Sequence, residues 1–323
     1  MKKGITMVGP WHMAGKAGLR VVAAGVLAAC CAWQAEGQPI GPGMPETVGQ
    51  PLPDVQEEEK EERFGMEATH GATDKEWARL VGEIPSINES LRAGGTGKAG
   101  DVKTIVLPGG ATMDLVWCPP GCFLMGSPEE EGLPGETRHR VTLTKGFWLA
   151  KTEVTQRQWR SVMGTDPSRF KGDNLPVECV DWNDCREFCR RAGLRLPTEA
   201  EWEYACRAGT TGPYAGTGVP SEMGWYWENS FKASTHPVGQ KCPNAWGLHD
   251  MHGNVAEFCS DWCGSYPAGA VTNPVGPSTG ASHECRGGSW AVSAFLCRSA
   301  YRGNDGPRRK HNALGFRPAA DQP

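Results

Sequence analysis

The sequence predicts an α+β fold: one domain of mixed helix and strand with little regular secondary structure. Three observations lead there. The 323 residues include 43 glycines and 25 prolines, about a fifth of the chain, which favours turns over long helices. Thirteen residues are tryptophan, and ten of them lie between Trp117 and Trp290, so large aromatics must pin the loops. The periodic segments are short, mix strand and helix patterns, and never repeat, which argues against a doubly wound sheet. Net charge is −4, so no basic surface points to nucleic acid.

The chain begins with an export pattern over 1–37. Lys2, Lys3, Lys16 and Arg20 precede an apolar core at 21–32 that is too short to span a bilayer. Leu27-Ala28-Ala29-Cys30 resembles a bacterial lipobox, which would attach the protein to a membrane through a lipidated Cys30; cleavage near Ala35-Glu36-Gly37 would leave it plainly secreted. Residues 38–100 read as a disordered linker: proline- and glycine-rich at 38–56, a solvated charge run at 57–63, one short helix at 72–84, and small residues at 92–100.

The folded domain is expected over 101–320, long enough to bury most of its own surface. Residues 104–118 read as two strands around Pro108-Gly109-Gly110, and a third strand follows at Cys122–Ser127. Residues 140–144 and 147–154 read as a further pair of strands. Thr155 and Gln158 form a capping-box pattern for a helix ending at Gly164. Cys185, Phe188, Cys189 and Ala192 lie on one helical face closed by Gly193. Thr198 and Glu201 cap a third helix that turns Trp202, Ala205 and Cys206 inward and stops at Gly209. Turns dominate beyond, with strands expected at 256–262 and 286–290. Eleven cysteines follow Cys31. The Pro-Pro-Gly turn between Cys118 and Cys122 would suit a disulfide, while Cys185 and Cys189 read as core packing.

Seven ordered blocks carry a resemblance: 125–127 (MGS), 151–159 (KTEVTQRQW), 175–189, 195–209, 244–258, 286–290 (RGGSW) and 314–317 (LGFR). They resemble the sulfatase-modifying factor family, whose founding activity is that of the formylglycine-generating enzyme. The resemblance covers about 105–320 and implies a fold like that of C-type lectins. Active members are expected to bind copper(I) through two cysteine thiolates and to oxidise a cysteine of a sulfatase peptide to formylglycine. Their motif runs GGS, aromatic, one residue, Cys, four residues, Cys. This chain reads GGSWAVSAFLC, so Cys297 matches the second thiol and Val292 stands where the first would be. A valine offers copper(I) no soft ligand. Ser289, Trp290 and Arg302 would form the cleft wall around Cys297.

The resemblance also implies calcium. Over 250–257 (DMHGNVAE), Asp250 and Glu257 would give carboxylates and Gly253 and Val255 carbonyl oxygens, the hard donors that calcium takes. Without metal, the same run would be a turn capped by its two acids. A second family site would use Asn229 with Ser230, although the loop for its other ligands is shortened here. Cys189 and Cys206 match positions that pair in some relatives, but their partners would fall on Pro318 and Arg302. Sulfoxide synthases of the ergothioneine type carry a three-histidine iron site ahead of this fold; residues 38–100 hold only His70.

Two functions compete. One is a non-catalytic exported module that binds a protein or peptide ligand, with calcium and without copper. The other is a formylglycine-generating oxidase, or another oxidoreductase, working around Cys297.

Overall fold

The computed structural model describes residues 74–93, 97–231 and 233–322. The export segment, Cys30 and the linker up to residue 73 lie outside the described residues. The linker expectation gives way over 74–92. The short helix expected at 72–84 is α1 (Asp74–Arg92), which runs eight residues further and rests on the domain.

The strands are β1 (Val102–Val106), β2 (Thr112–Cys118), β3 (Gly121–Met125), β4 (His139–Leu143) and β5 (Phe147–Ala150). Helices α2 (Gln156–Met163), α3 (Trp182–Ala192), α4 (Glu199–Arg207) and α5 (Pro220–Met223) follow. Then come β6 (Ala256–Trp262), β7 (Val271–Thr272), β8 (His283–Arg286), a 3-10 turn at Ala294–Cys297, β9 (Gly303–Asp305), β10 (Leu314–Gly315) and β11 (Ala319–Asp321). The elements are short and the connections long, which is the low-regularity α+β architecture that the composition predicts.

Three sheets organise the domain, in the orders β1-β2-β5-β11, β10-β6-β8-β9 and β3-β4-β7. The first joins the two ends of the domain, because β11 lies antiparallel against β5. Strands β4 and β5 were expected to pair with each other, and they do not. Strand β5 joins β2, where Trp117 faces Trp148, while β4 joins β3. Those pairings, with α1 and α4 packed on β3, bury β2 and β3 almost completely and outweigh the short Lys145-Gly146 turn. The strand expected at 286–290 lies earlier, as β8, and the two glycines after it turn away with positive φ.

The helix ends follow local chemistry. Thr155, Asp181 and Thr198 each form a complete capping box. Helix α2 stops at Gly164 and α3 at Gly193, both left-handed, whereas α4 stops one residue early on Ala208 at φ 45. The Cys185, Phe188 and Cys189 stripe is buried, as are Trp202, Ala205 and Cys206. All eleven cysteines among the described residues are unpaired, so the expected Cys118–Cys122 bridge is absent.

Much of the interior is ionic. Arg286, Arg298 and Arg317 are among the largest fully buried side chains. Arg286 pairs with Glu203, Arg298 with Glu136 at 2.7 Å, and Arg317 with Glu257 at 2.6 Å. A loop-rich interior leaves carbonyls that ladders would otherwise satisfy, and guanidiniums reach several at once. Arg317 alone donates to the carbonyls of Ala150, Lys151 and His249.

Asp261 supplies a pH test within this interior. Burial pushes its carboxyl up from 3.8 to about 7. Its Oδ2 accepts from the Glu199 N–H at 3.0 Å and the Ser260 hydroxyl at 2.9 Å. The folded state holds a proton that the unfolded chain releases between those two pH values. Stability therefore falls as pH rises through that window, and the loss is complete above it. Asp261→Asn keeps an acceptor and removes the titration. Its stability relative to wild type should rise from pH 5 to pH 8, by on the order of 2–4 kcal/mol. Urea midpoints at the two pH values check this.

Candidate functional site

The loop after β8 carries Gly287 and Gly288, at φ 92 and 67. Positive φ at Gly288 lets the chain fold back on the 3-10 turn. A Cβ there would lie 2.5 Å from the Cys297 Sγ, so the thiol is packed directly on glycine backbone. Cys297 is fully buried. Burial pushes its thiol up to about 12, against a smaller opposing effect from a backbone hydrogen bond at Ser289. Without a cation beside it, the thiol is therefore protonated at neutral pH, the wrong state for a nucleophile.

Val292 is half-buried five residues before Cys297, and its backbone is fixed at both ends. Its N–H donates to the Ser289 carbonyl at 3.2 Å, and its carbonyl accepts from the Trp227 N–H at 2.8 Å. Ser289 is buried and a backbone hydrogen bond at Ser289 reaches the Cys297 thiol. Trp290 is mostly buried, packs edge-on against Phe170 and donates from Nε1 to the Asn312 carbonyl. Arg302 has other partners. It binds Glu199 through two nitrogens, at 2.7 and 3.0 Å, reaches Glu284, and stacks on Tyr266.

The sequence reading missed the neighbour that holds Cys297 from below. The His252 ring meets the Cys297 carbonyl at 2.8 Å through Nδ1 and accepts from the Ala215 N–H through Nε2. Burial lowers this imidazole to about 4, so it stays neutral. His252 lies inside the 250–257 run, so that run and the Cys297 turn are one packed unit. The two motif positions offer copper(I) a poor donor set: Cys297 brings one buried thiol, and Val292 brings no ligand atom.

The 250–257 run is built differently. Asp250, Gly253 and Asn254 all have positive φ, which coils the segment tightly. At Gly253 a Cβ would lie 2.1 Å from the Trp225 carbonyl oxygen. Asp250 Oδ2 accepts from the Gly239 N–H at 2.6 Å, while its buried Oδ1 has no hydrogen-bond partner. Glu257 accepts from the Trp202 Nε1 at 2.7 Å and grips Arg317 with both oxygens. A third acid, Glu153, is buried beside them and touches the Val255 N–H at 3.3 Å. Its carboxyl is pushed far up by burial first and by Asp250 and Glu257 next. Asp250 is also raised, chiefly by burial. Three buried acids thus share one arginine, and one of their oxygens, Asp250 Oδ1, has no hydrogen-bond partner. That shortage of positive charge suits a hard cation. Among the described residues no three acid, histidine or cysteine side chains converge as a complete cage, so carbonyls would have to finish the shell.

Asn229 spends its side chain on its own turn. Its Oδ1 accepts from the Tyr226 N–H at 2.7 Å and its amide donates to the Gly224 carbonyl at 2.9 Å. Ser230 turns instead to the Ser234 carbonyl and the His236 ring. Elsewhere, a groove of about 910 Å³ runs between α3 and the β4–β5 turn, remote in its lining from Cys297. Among the described residues no helix is long and apolar enough to cross a membrane.

Comparison with known proteins agrees with this architecture. Residues 106–322 match the sulfatase-modifying factor enzyme 1-like domain. Formylglycine-generating enzyme from Mus musculus is 36% identical over 201 residues, covering 57% of this chain and 53% of that protein. The chain therefore spans about half the length of that relative. Chaperone protein LppX from Paenibacillus barcinonensis is 32% identical over 221 residues, covering 50% of this chain and 75% of that protein. The solved structure of Treponema denticola variable protein 1 superposes with a TM-score of 0.63 at 30% identity, covering 68% of this chain and 99% of the other.

Proposed function

This chain belongs to the sulfatase-modifying factor family, and from that premise we propose that it is a non-catalytic member that works as a binding or structural module. One observation carries the proposal. At the position of the first copper-ligating thiol stands Val292, and the second thiol, Cys297, is buried, protonated and packed on Gly288. A fold does not bring an activity with it; the site does. That one relative is named a chaperone supports a binding role on this scaffold. The ligand is a protein or peptide. The N-terminal pattern supports export, either as a lipoprotein held through Cys30 or as a secreted protein.

The competing reading is a formylglycine-generating oxidase, favoured by the identity with the mouse enzyme. A copper(I) titration of wild type and Cys297→Ala separates the two. The proposal expects no tight site that depends on Cys297; a tight site lost in the variant supports the oxidase.

Calcium belongs to the proposed module. Asp250 and Glu257 would hold it with the Gly253 and Val255 carbonyls, which would neutralise the excess of acids around Glu153. A cation bound only to the folded state stabilises it by mass action. Adding a chelator to metal-analysed protein should lower the melting temperature by several degrees, and Asp250→Asn should remove that response. An unchanged melting temperature with chelator rules calcium out.

A further inference from the structure

We propose that the free edge of β3 is a strand-accepting surface for an extended peptide, and that α1 is a displaceable strap covering it. The inference is independent of whether Cys297 is catalytic.

Strand β3 lies at the edge of its sheet, with only β4 beside it. Alternate residues of an edge strand point their peptide groups outward, and such a row is a template for another chain. The Cys122 peptide groups turn away from β4 towards α1, and strand alternation turns those of Leu124, two residues on, the same way. The outward groups of Cys122 are met by a side chain. Asn88 of α1 accepts from the Cys122 N–H at 2.5 Å and donates to the Cys122 carbonyl at 3.2 Å. One amide group thus makes both bonds that a neighbouring strand residue would make. Asn88 stands in for a strand. Gly121 keeps the approach open, since a Cβ there would lie 3.1 Å from the Asn88 Oδ1 and 2.0 Å from the Tyr204 hydroxyl.

The cover is light. No described residue of α1 is fully buried. Its apolar stripe (Trp77, Leu80, Ile84, Ile87 and Leu91) is only half-buried, and Pro85 interrupts the helix. The other ties are polar and near the surface. Arg92 donates to the Pro120 carbonyl and to the Tyr204 hydroxyl at 3.2 Å each, Glu83 meets Arg140 at 3.6 Å, and Arg138 lies over the Trp77 ring. Helix α1 also precedes the matched family domain, which begins at residue 106. A groove of about 840 Å³ opens between α1, at Ile84, Pro85 and Asn88, and a floor of Phe123, Leu124, Tyr204 and Trp246. It adjoins the same edge and offers the rings of Phe123, Tyr204 and Trp246, packed tilted and edge-on, to the side chains of an added strand. The occupant this arrangement fits is therefore an extended peptide held by main-chain hydrogen bonds, with an apolar side chain seated in the groove.

The test is amide hydrogen exchange on the full chain. In Asn88→Ala/Arg92→Ala the Cys122 and Leu124 amides should exchange at least about tenfold faster, with β2 and β6 unchanged. A lysine-flanked peptide of alternating valine and threonine should restore protection at both amides. The same peptide N-methylated at alternate residues should not. If the double variant loses its cooperative melting transition, Asn88→Ala alone is read in the same way. Unchanged Cys122 exchange in the variants overturns the strap. Faster exchange that the unmethylated peptide does not slow, or that both peptides slow equally, overturns the strand-accepting edge.

Discussion

Replacing Glu203 with alanine should remove a large share of the stability of the domain. Glu203 is fully buried and holds two buried arginines: Arg207 at 2.8 Å and Arg286 through Nη2. It also accepts from the Gly126 N–H at 2.8 Å. Alanine would leave the Gly126 amide without its acceptor and Arg207 with carbonyls alone, and Arg286 would keep only the Tyr301 carbonyl and Glu199 at 3.6 Å. Breaking one buried ion pair costs about 3–5 kcal/mol, because the remaining charge stays buried and unpaired. Here one carboxylate serves two cations, so the expected loss lies at or above the top of that range. A typical domain has only about 5–15 kcal/mol in total. Glu203→Gln keeps one acceptor and should lose less. Glu187→Ala removes an acid that also meets two arginines, Arg190 and Arg191, but on the solvent-facing side of α3. It should leave the urea midpoint in place. If Glu203→Ala unfolds at the wild-type midpoint, the ionic interior is not what holds these loops.

Val292→Cys should raise copper(I) affinity by orders of magnitude. The substitution restores the thiol spacing of active family members on a turn that already has fixed ends, through Ser289 and Trp227. Two thiolates satisfy a soft cation that one cannot, and a cation nearby favours the thiolate of Cys297 over its protonated form. The gain should disappear in Val292→Cys/Cys297→Ser. Competition with a chromophoric copper(I) chelator gives the affinity directly. An affinity no higher than wild type would mean that the turn around Gly288 and His252 holds the two positions apart.

Local chemistry was the legible part of this fold. Thr155, Thr198, Gly164 and Gly193 announce their helix ends because caps are satisfied within a few residues. Pairing was not legible for β4 and β5, whose adjacency in sequence suggested a hairpin, because Trp148 finds Trp117 across the sheet instead. The 250–257 run could be read as oxygen-rich, yet the groups that set its charge come from far away. Glu153 lies about a hundred residues earlier, and Arg317 is 60 residues beyond Glu257. No periodicity links such residues. Arg302 stands five residues from Cys297 in sequence, and only the fold reveals that Glu199 and Glu284 engage it. Asn88 gave no signal at all, since its role depends on an edge strand more than thirty residues downstream.

The most direct test of the central claim is aldehyde formation on a cysteine-containing sulfatase peptide, with wild-type protein, copper(I) and oxygen, read by mass spectrometry. The account predicts an unmodified peptide, because Val292 gives no ligand and Cys297 is a buried, protonated packing residue. Copper-dependent aldehyde that disappears in Cys297→Ser would contradict it.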